Sequence, residues 1–131
     1  MPSKAEHIAK AEGNEAFASE MPLTRQPNID WALVAIFYAA VHYVEAYFSL
    51  SGTHLRSHTT RDRYVGRDPK LKPVFREYSN LKYYAYNARY EATNFKPLEV
   101  TEIALPALDK IKAQLKPLFQ SADAEPGFPH L

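Results

Sequence analysis

The chain has no cysteine among its 131 residues. Disulfides, thiolate nucleophiles, zinc ribbons and iron–sulfur clusters are therefore excluded, and the composition suits a reducing compartment. Glycine is scarce, with 4 in the chain, and no glycine-rich phosphate loop is present. Nucleophile elbows, paired metal-binding carboxylates and kinase signatures are missing as well. An excess of charge is also lacking. The 16 basic and 15 acidic side chains leave a net charge of +1, so no global field announces a nucleic-acid partner and any basic patch must be local. The opening residues, Met1-Pro-Ser-Lys-Ala-Glu-His7, have no apolar core of a secretory signal. The longest apolar run, Trp31 to Phe48, carries His42 and Glu45 in its second half, which predicts a buried helix and not a membrane span. Together these features predict a soluble, cytoplasmic protein with no membrane contact.

What the chain has in abundance is tyrosine: 9, against 7 phenylalanines and 1 tryptophan. Tyrosine joins apolar area to a polar tip and suits a wet core, an interface or the floor of a site. The size fits one domain that hides roughly two-thirds of its unfolded surface. Residues 1–119 are expected to form a single helical bundle and residues 120–131 a flexible tail, because the tail shows no periodicity.

Helical spacing organises the rest. A first helix is expected over residues 3–20 on Ile8, Ala11, Glu15 and Ala18 or Ser19. Pro22 and Pro27 mark a connector ending at Asn28, and Asn28 or Asp30 then caps a second helix over about residues 29–50. That helix is apolar all round, so part of it is expected to meet another subunit, and Gly52 closes it. A short helix starts at Ser57 and ends at Gly66. Asp68-Pro69 opens a third long helix with the stripe Leu71, Val74, Tyr78, Leu81, Ala85, Ala88 and Ala92, and Pro73 offers a later start. Pro97 begins a fourth, with Leu98, Ile103 or Thr101, Leu105, Leu108, Ile111 and Leu115 on one face and a kink at Pro106. With no alternating strand pattern, the expected fold is all-α: an up-and-down four-helix bundle with a short extra helix.

Three groups of residues could carry chemistry. On the second helix Trp31, Ala35, Tyr38, His42, Glu45 and Ser49 fall within about 80° of one another. His42 and Glu45 either satisfy each other's hydrogen bonds or form part of a site in which His42 is a base or a nucleotide contact. The segment from His54 to Arg67 gathers Arg56, His58, Arg61, Arg63 and Arg67, a cationic patch suited to phosphate, or simply a solvated loop. His54 and His58 stand four apart without an acidic third ligand at motif spacing, so no metal is expected, and no cofactor either. On the third helix Tyr78, Tyr83, Tyr84, Tyr86 and Tyr90 surround Arg89, where some can stack on bases and the others pack.

The order of these pieces carries a resemblance. Asp30-Trp-Ala-Leu-Val-Ala-Ile-Phe-Tyr38-Ala-Ala-Val-His42-Tyr-Val-Glu45-Ala46, then Gly52, Arg56-Ser-His58 with Arg61, Tyr78-x-x-Leu81 and Ala88-Arg89-Tyr90 resembles the HEPN domains of prokaryotes over about residues 5–118. The resemblance implies a four- to five-helix bundle and a homodimer. It further implies a setting in toxin–antitoxin or antiphage defence, with RNA, a nucleotide or a minimal nucleotidyltransferase as partner. Many members are metal-independent ribonucleases using an arginine followed four to six residues later by histidine. Here Arg89 matches the arginine, but Asn94, Phe95 and Lys96 occupy the histidine positions, so that pair is incomplete. The residues carried forward are His58, Arg61 and Arg89 as catalytic candidates, with Tyr38, His42, Glu45, Arg56, Arg63, Tyr90 and Asn94 as ligand contacts. The chain is thus expected to be an atypical HEPN protein that binds RNA, a nucleotide or a partner. A ribonuclease built on arginine and histidine is the alternative, and a helical adaptor without ligand the third reading.

Overall fold

A computed structural model of the chain describes residues 2–124. It is an all-α bundle of four long helices, α1 (Lys4–Glu20), α2 (Gln26–Ser49), α4 (Phe75–Tyr90) and α5 (Leu105–Ala124), with the short α3 (His58–Arg67) between α2 and α4. No strand occurs among the described residues. Helix α2 packs against α1, α4 and α5 and supplies the centre of the core through Leu33, Ile36, Phe37, Ala40 and Val44. It is long and apolar enough to cross a membrane by composition, yet 78% of its apolar window is buried inside the protein, as befits a core helix.

Helix starts follow local chemistry. Ser3 and Glu6 form a capping box on α1: the Ser3 hydroxyl accepts from the Glu6 amide at 3.1 Å and the Glu6 carboxylate accepts from the Ser3 amide at 2.8 Å. Helix α2 begins at Gln26, three residues before the start expected from sequence. Pro27 lies in its first turn, where a missing N–H and a preset φ favour helix entry. Asn28 instead ties the connector by donating to the Pro22 carbonyl at 2.7 Å. At the other end Gly52 has φ of 74°, with the Thr53 amide bonded to the Phe48 carbonyl and the Gly52 amide to the Ser49 carbonyl, so the expected glycine closure is present. Ser57 caps α3 through the Thr60 amide, also as expected.

Two proline-rich segments depart from expectation. Asp68 does not open α4; it ends α3, accepts from the Tyr47 hydroxyl at 3.0 Å and from the Lys70 amide at 2.8 Å, and α4 starts after a 3₁₀ turn, Lys72–Val74, that contains Pro73. The helix ends at Tyr90, so Ala92 lies beyond the buried stripe. Before Pro106 the chain makes a π turn, Glu99–Ala104, in which the Leu105 amide reaches back to the Val100 carbonyl. Proline removes one ladder bond and crowds the carbonyl four residues earlier, and an inserted π residue accommodates both effects. That insertion also shifts the register. Val100 and Ala104 turn inward, whereas Leu98 and Ile103, expected on the inner face, are exposed. Helix α5 then runs through Pro117 to Ala124, five residues into the segment expected to be a flexible tail; the remainder of that segment, 125–131, lies outside the described residues.

The tyrosines explain much of the cohesion between helices. The Tyr43 hydroxyl donates to Glu15 at 3.0 Å, Lys112 pairs with Glu15 at 2.7 Å, and the ammonium stands 5.8 Å from the Tyr43 ring, so one polar cluster ties α1, α2 and α5. Burial, then the Glu15 hydrogen bond, push the Tyr43 phenol up. Burial and Asp68 hold the Tyr47 phenol at about 12. Tyr78 is a core residue beside Phe37, 5.7 Å between ring centroids, and Tyr84 packs edge-on against Phe95 at 5.3 Å.

Candidate functional site

Tyr38, His42 and Glu45 share one side of α2, as helical spacing requires, and each meets a different element. Glu45 is buried and accepts from Arg61 Nε of α3 at 2.8 Å. Arg61 is buried as well, one of only two buried residues of α3 with Val65, so the short helix docks through this ion pair together with the Val65 side chain. Arg61 Nη1 lies 3.0 Å from His58 Nδ1. A guanidinium can only donate, so Nδ1 accepts and the neutral imidazole carries its proton on Nε2. Burial, followed by the Arg61 charge, lowers the His58 pKa. The His58 ring is stacked against Phe37, 6.1 Å between centroids, while the residue as a whole stays exposed.

His42 does not pair with Glu45, the partner that spacing along α2 suggests. Its Nδ1 stands 3.1 Å from Nδ1 of His7, a buried residue of α1. One ring must donate and the other accept, so the contact needs both rings uncharged or a single shared charge. Burial is the main cause of a lowered pKa at both; at His42 the His7 charge comes next, and at His7 Glu45 opposes the shift. Sequence periodicity puts Ile8 on the inner face of α1. The missed signal is the spacing of His7, Ala11 and Ala18, which follows the same helical stripe.

A second cluster lies toward the start of α2 and the end of α4. Arg89 Nη1 donates to the Tyr38 hydroxyl at 2.7 Å, and its guanidinium carbon is 5.7 Å from the Tyr38 ring and 5.1 Å from the Tyr90 ring. Arg89 Nε is buried with no hydrogen-bond partner among the described residues. Arg89 and Tyr90 line a cleft of about 460 Å³ with Trp31, Asp30, Gln26 and Val34. Trp31 is 56% exposed and Tyr90 66%, large fractions for aromatic side chains beside a cation. Asp30 accepts from the Gln26 side chain at 3.2 Å, which leaves its other oxygen available.

The two clusters are neighbours. Phe37 touches both, with its ring 5.8 Å from Tyr38 and 6.1 Å from His58, and the Arg89 charge acts on the His58 pKa. The link between the basic segment and Arg89 is thus indirect, through the Phe37 ring that lies between His58 and Tyr38, with no hydrogen bond or ion pair joining them among the described residues. The other basic residues do not join it. Arg56 is exposed in the loop before Ser57, and Arg63 is exposed beside Tyr64, Arg67 and Asp68 in a different opening. Asn94 lies exposed after α4, and its neighbour Phe95 is buried in the core, so this segment brings no polar group to Arg89. No cluster of three or more metal-binding side chains occurs among the described residues. Comparison with protein-family models, with curated proteins and with solved structures returns no match for this chain.

Proposed function

We propose that this chain is an atypical HEPN-like module that binds one nucleotide unit, free or within RNA, in the cleft formed by Trp31, Arg89 and Tyr90. The observation that carries the reading is the state of Arg89. It has an unpartnered Nε, a place between two tyrosine rings and an opening onto exposed indole and phenol faces. A nucleotide offers what this arrangement lacks, a flat ring to stack on Trp31 or Tyr90 and a phosphate to accept from the guanidinium. The all-α bundle and the placement of Tyr38 against Arg89 are compatible with the HEPN resemblance. From that resemblance follow the further proposals of a homodimer and of a cytoplasmic role in defence or toxin–antitoxin systems.

Binding is favoured over cleavage by the chemistry of the neighbouring cluster. A general base needs a free lone pair within reach of the proton it takes. His58, the histidine among the catalytic candidates, has its acceptor nitrogen on Arg61, and Arg61 already serves Glu45 and His58. Incubation with RNA in EDTA tests this directly. Intact RNA is expected; degradation that His58→Ala abolishes would establish the ribonuclease reading instead.

Titration of a labelled single-stranded RNA at several salt concentrations tests the main reading. Saturable binding that weakens as salt rises is expected, because phosphate contacts release counterions. Absence of binding at low salt, by this RNA and by AMP alike, would refute it. Light scattering on a sizing column should return twice the chain mass, and a single chain's mass would refute the dimer.

A further inference from the structure

A second cleft, of about 380 Å³, opens beside α3 and the outer face of α4, and Asp62, Phe75, Lys82, Tyr83 and Tyr86 line it. It adjoins the first. Tyr90 belongs to one cleft and Tyr86 to the other, and their rings are 5.1 Å between centroids. Along α4 these two residues are one turn apart, a rise of about 6 Å, which a single-stranded backbone spans in one nucleotide step.

The chemistry of the second cleft matches that of the first. Tyr83 is 62% exposed and Tyr86 51%, so both aromatic side chains are open to solvent. Asp62 has one oxygen paired with Lys82, while Oδ1 is buried and has no donor among the described residues. A buried carboxylate oxygen without a donor is a costly feature unless something supplies an N–H. The cleft therefore fits a planar, stacking group that carries an N–H on its edge, beside a cation able to lean toward phosphate. A nucleobase is such a group, and unpaired bases are the ones that can leave a strand to stack on aromatic side chains.

We infer that the natural ligand is a single-stranded RNA segment whose successive bases occupy the two clefts, one beside Trp31 and Arg89 and the next between Tyr83 and Tyr86, rather than a free mononucleotide. This rests on the nucleotide-binding reading of the first cleft. The stretch from Trp31 across Tyr90 and Tyr86 to Tyr83 then forms one track, with Arg89 and Lys82 as its cations and Asp62 as an acceptor for a base N–H.

The test compares AMP with a six-residue oligoadenylate on the full chain, using wild type, Tyr86→Ala and Tyr83→Ala. Both tyrosines are exposed, so unchanged melting curves are expected for the variants. The oligonucleotide should bind wild type at least tenfold more tightly than AMP. Each variant should lose about tenfold in affinity for the oligonucleotide and nothing for AMP, a loss typical of one removed base–aromatic stack. If both variants bind the oligonucleotide as wild type does while AMP still binds, the second cleft is not part of the path and only the first reading survives. If neither AMP nor oligonucleotide binds wild type, both readings fall.

Discussion

Glu45 and Tyr38 stand two helical turns apart on α2, and each receives an arginine from another helix. Arg61 comes from α3 and gives Nε to Glu45 at 2.8 Å and Nη1 to His58 at 3.0 Å. Arg89 comes from α4 and gives one bond to a phenol, leaving Nε buried and unpartnered. The first arginine faces a full charge in a buried setting and acts within the protein. The second faces a neutral hydroxyl and two aromatic rings at the edge of an open cleft. The same residue type on the same side of the central helix thus serves cohesion in one place and is available for a ligand in the other. What decides the difference is the partner, a carboxylate against a phenol.

The contrast between the two arginines can be disrupted most forcefully at the buried pair. Arg61→Ala leaves Glu45 buried without its cation, and a loss of about 3–5 kcal/mol is expected in urea unfolding, because removing one partner strands the other. Replacing both residues with methionine should recover most of that loss. A small effect of Arg61→Ala on stability with a large one on RNA affinity would reverse the roles assigned to the two arginines. Next in size is Arg89→Met. RNA affinity should fall at least tenfold, and the salt slope should become shallower by about 0.7 for each phosphate that the protein no longer neutralises. Stability should change by only about 1 kcal/mol, the usual worth of one hydrogen bond. Tyr90→Ala separates binding from folding further. It should weaken RNA binding by about 1–3 kcal/mol through the missing stack and leave folding unaffected.

The smallest effect is a pH dependence confined to the cohesive cluster. Burial lowers the folded-state pKa of His7, His42 and His58 from an unfolded value of about 6.5. The unfolded chain therefore binds more protons as pH falls. The stability these residues permit is fully present above pH of about 6.5 and is lost as pH drops from there toward the lowered folded values. Denaturant titrations between pH 7.5 and 5 should show that decline. His7→Gln keeps a hydrogen-bonding side chain at the contact, removes one of the three titrating groups and should make the decline shallower, while RNA affinity at pH 7.5 stays unchanged. A decline of equal slope in the variant would remove the histidine pair from the explanation.

Much of this architecture is legible in the residues. The four long helices, the Ser57 cap, the Gly52 closure and the buried stripe through Leu71, Val74, Tyr78, Leu81 and Ala85 all follow from local spacing and capping chemistry. The errors sit where proline acts in context. Pro27 enters a helix rather than barring it, Pro69 does not open α4, whose start falls at the later point that Pro73 offers, and the π turn ahead of Pro106 rotates Leu98 and Ile103 outward. The site was partly legible for a similar reason. Periodicity along one helix gathers Tyr38, His42 and Glu45, but it says nothing of which residue on another helix each will meet. The contacts with His7, Arg61 and Arg89 arise only on packing. Asp62 is the extreme case, because nothing in the spacing of the segment marks an acidic residue with one oxygen buried and without a donor.

Trp31 is the only tryptophan of the chain and lines the cleft with Arg89, so its fluorescence reports on the proposed site without a label. Titration of wild type and Arg89→Met with single-stranded RNA, followed by that emission, addresses the central claim most directly. A saturable change in wild type, weaker as salt rises and much reduced in Arg89→Met, is the predicted result. An emission that does not respond to RNA at low salt, or responds equally in both proteins, would contradict the assignment of this cleft.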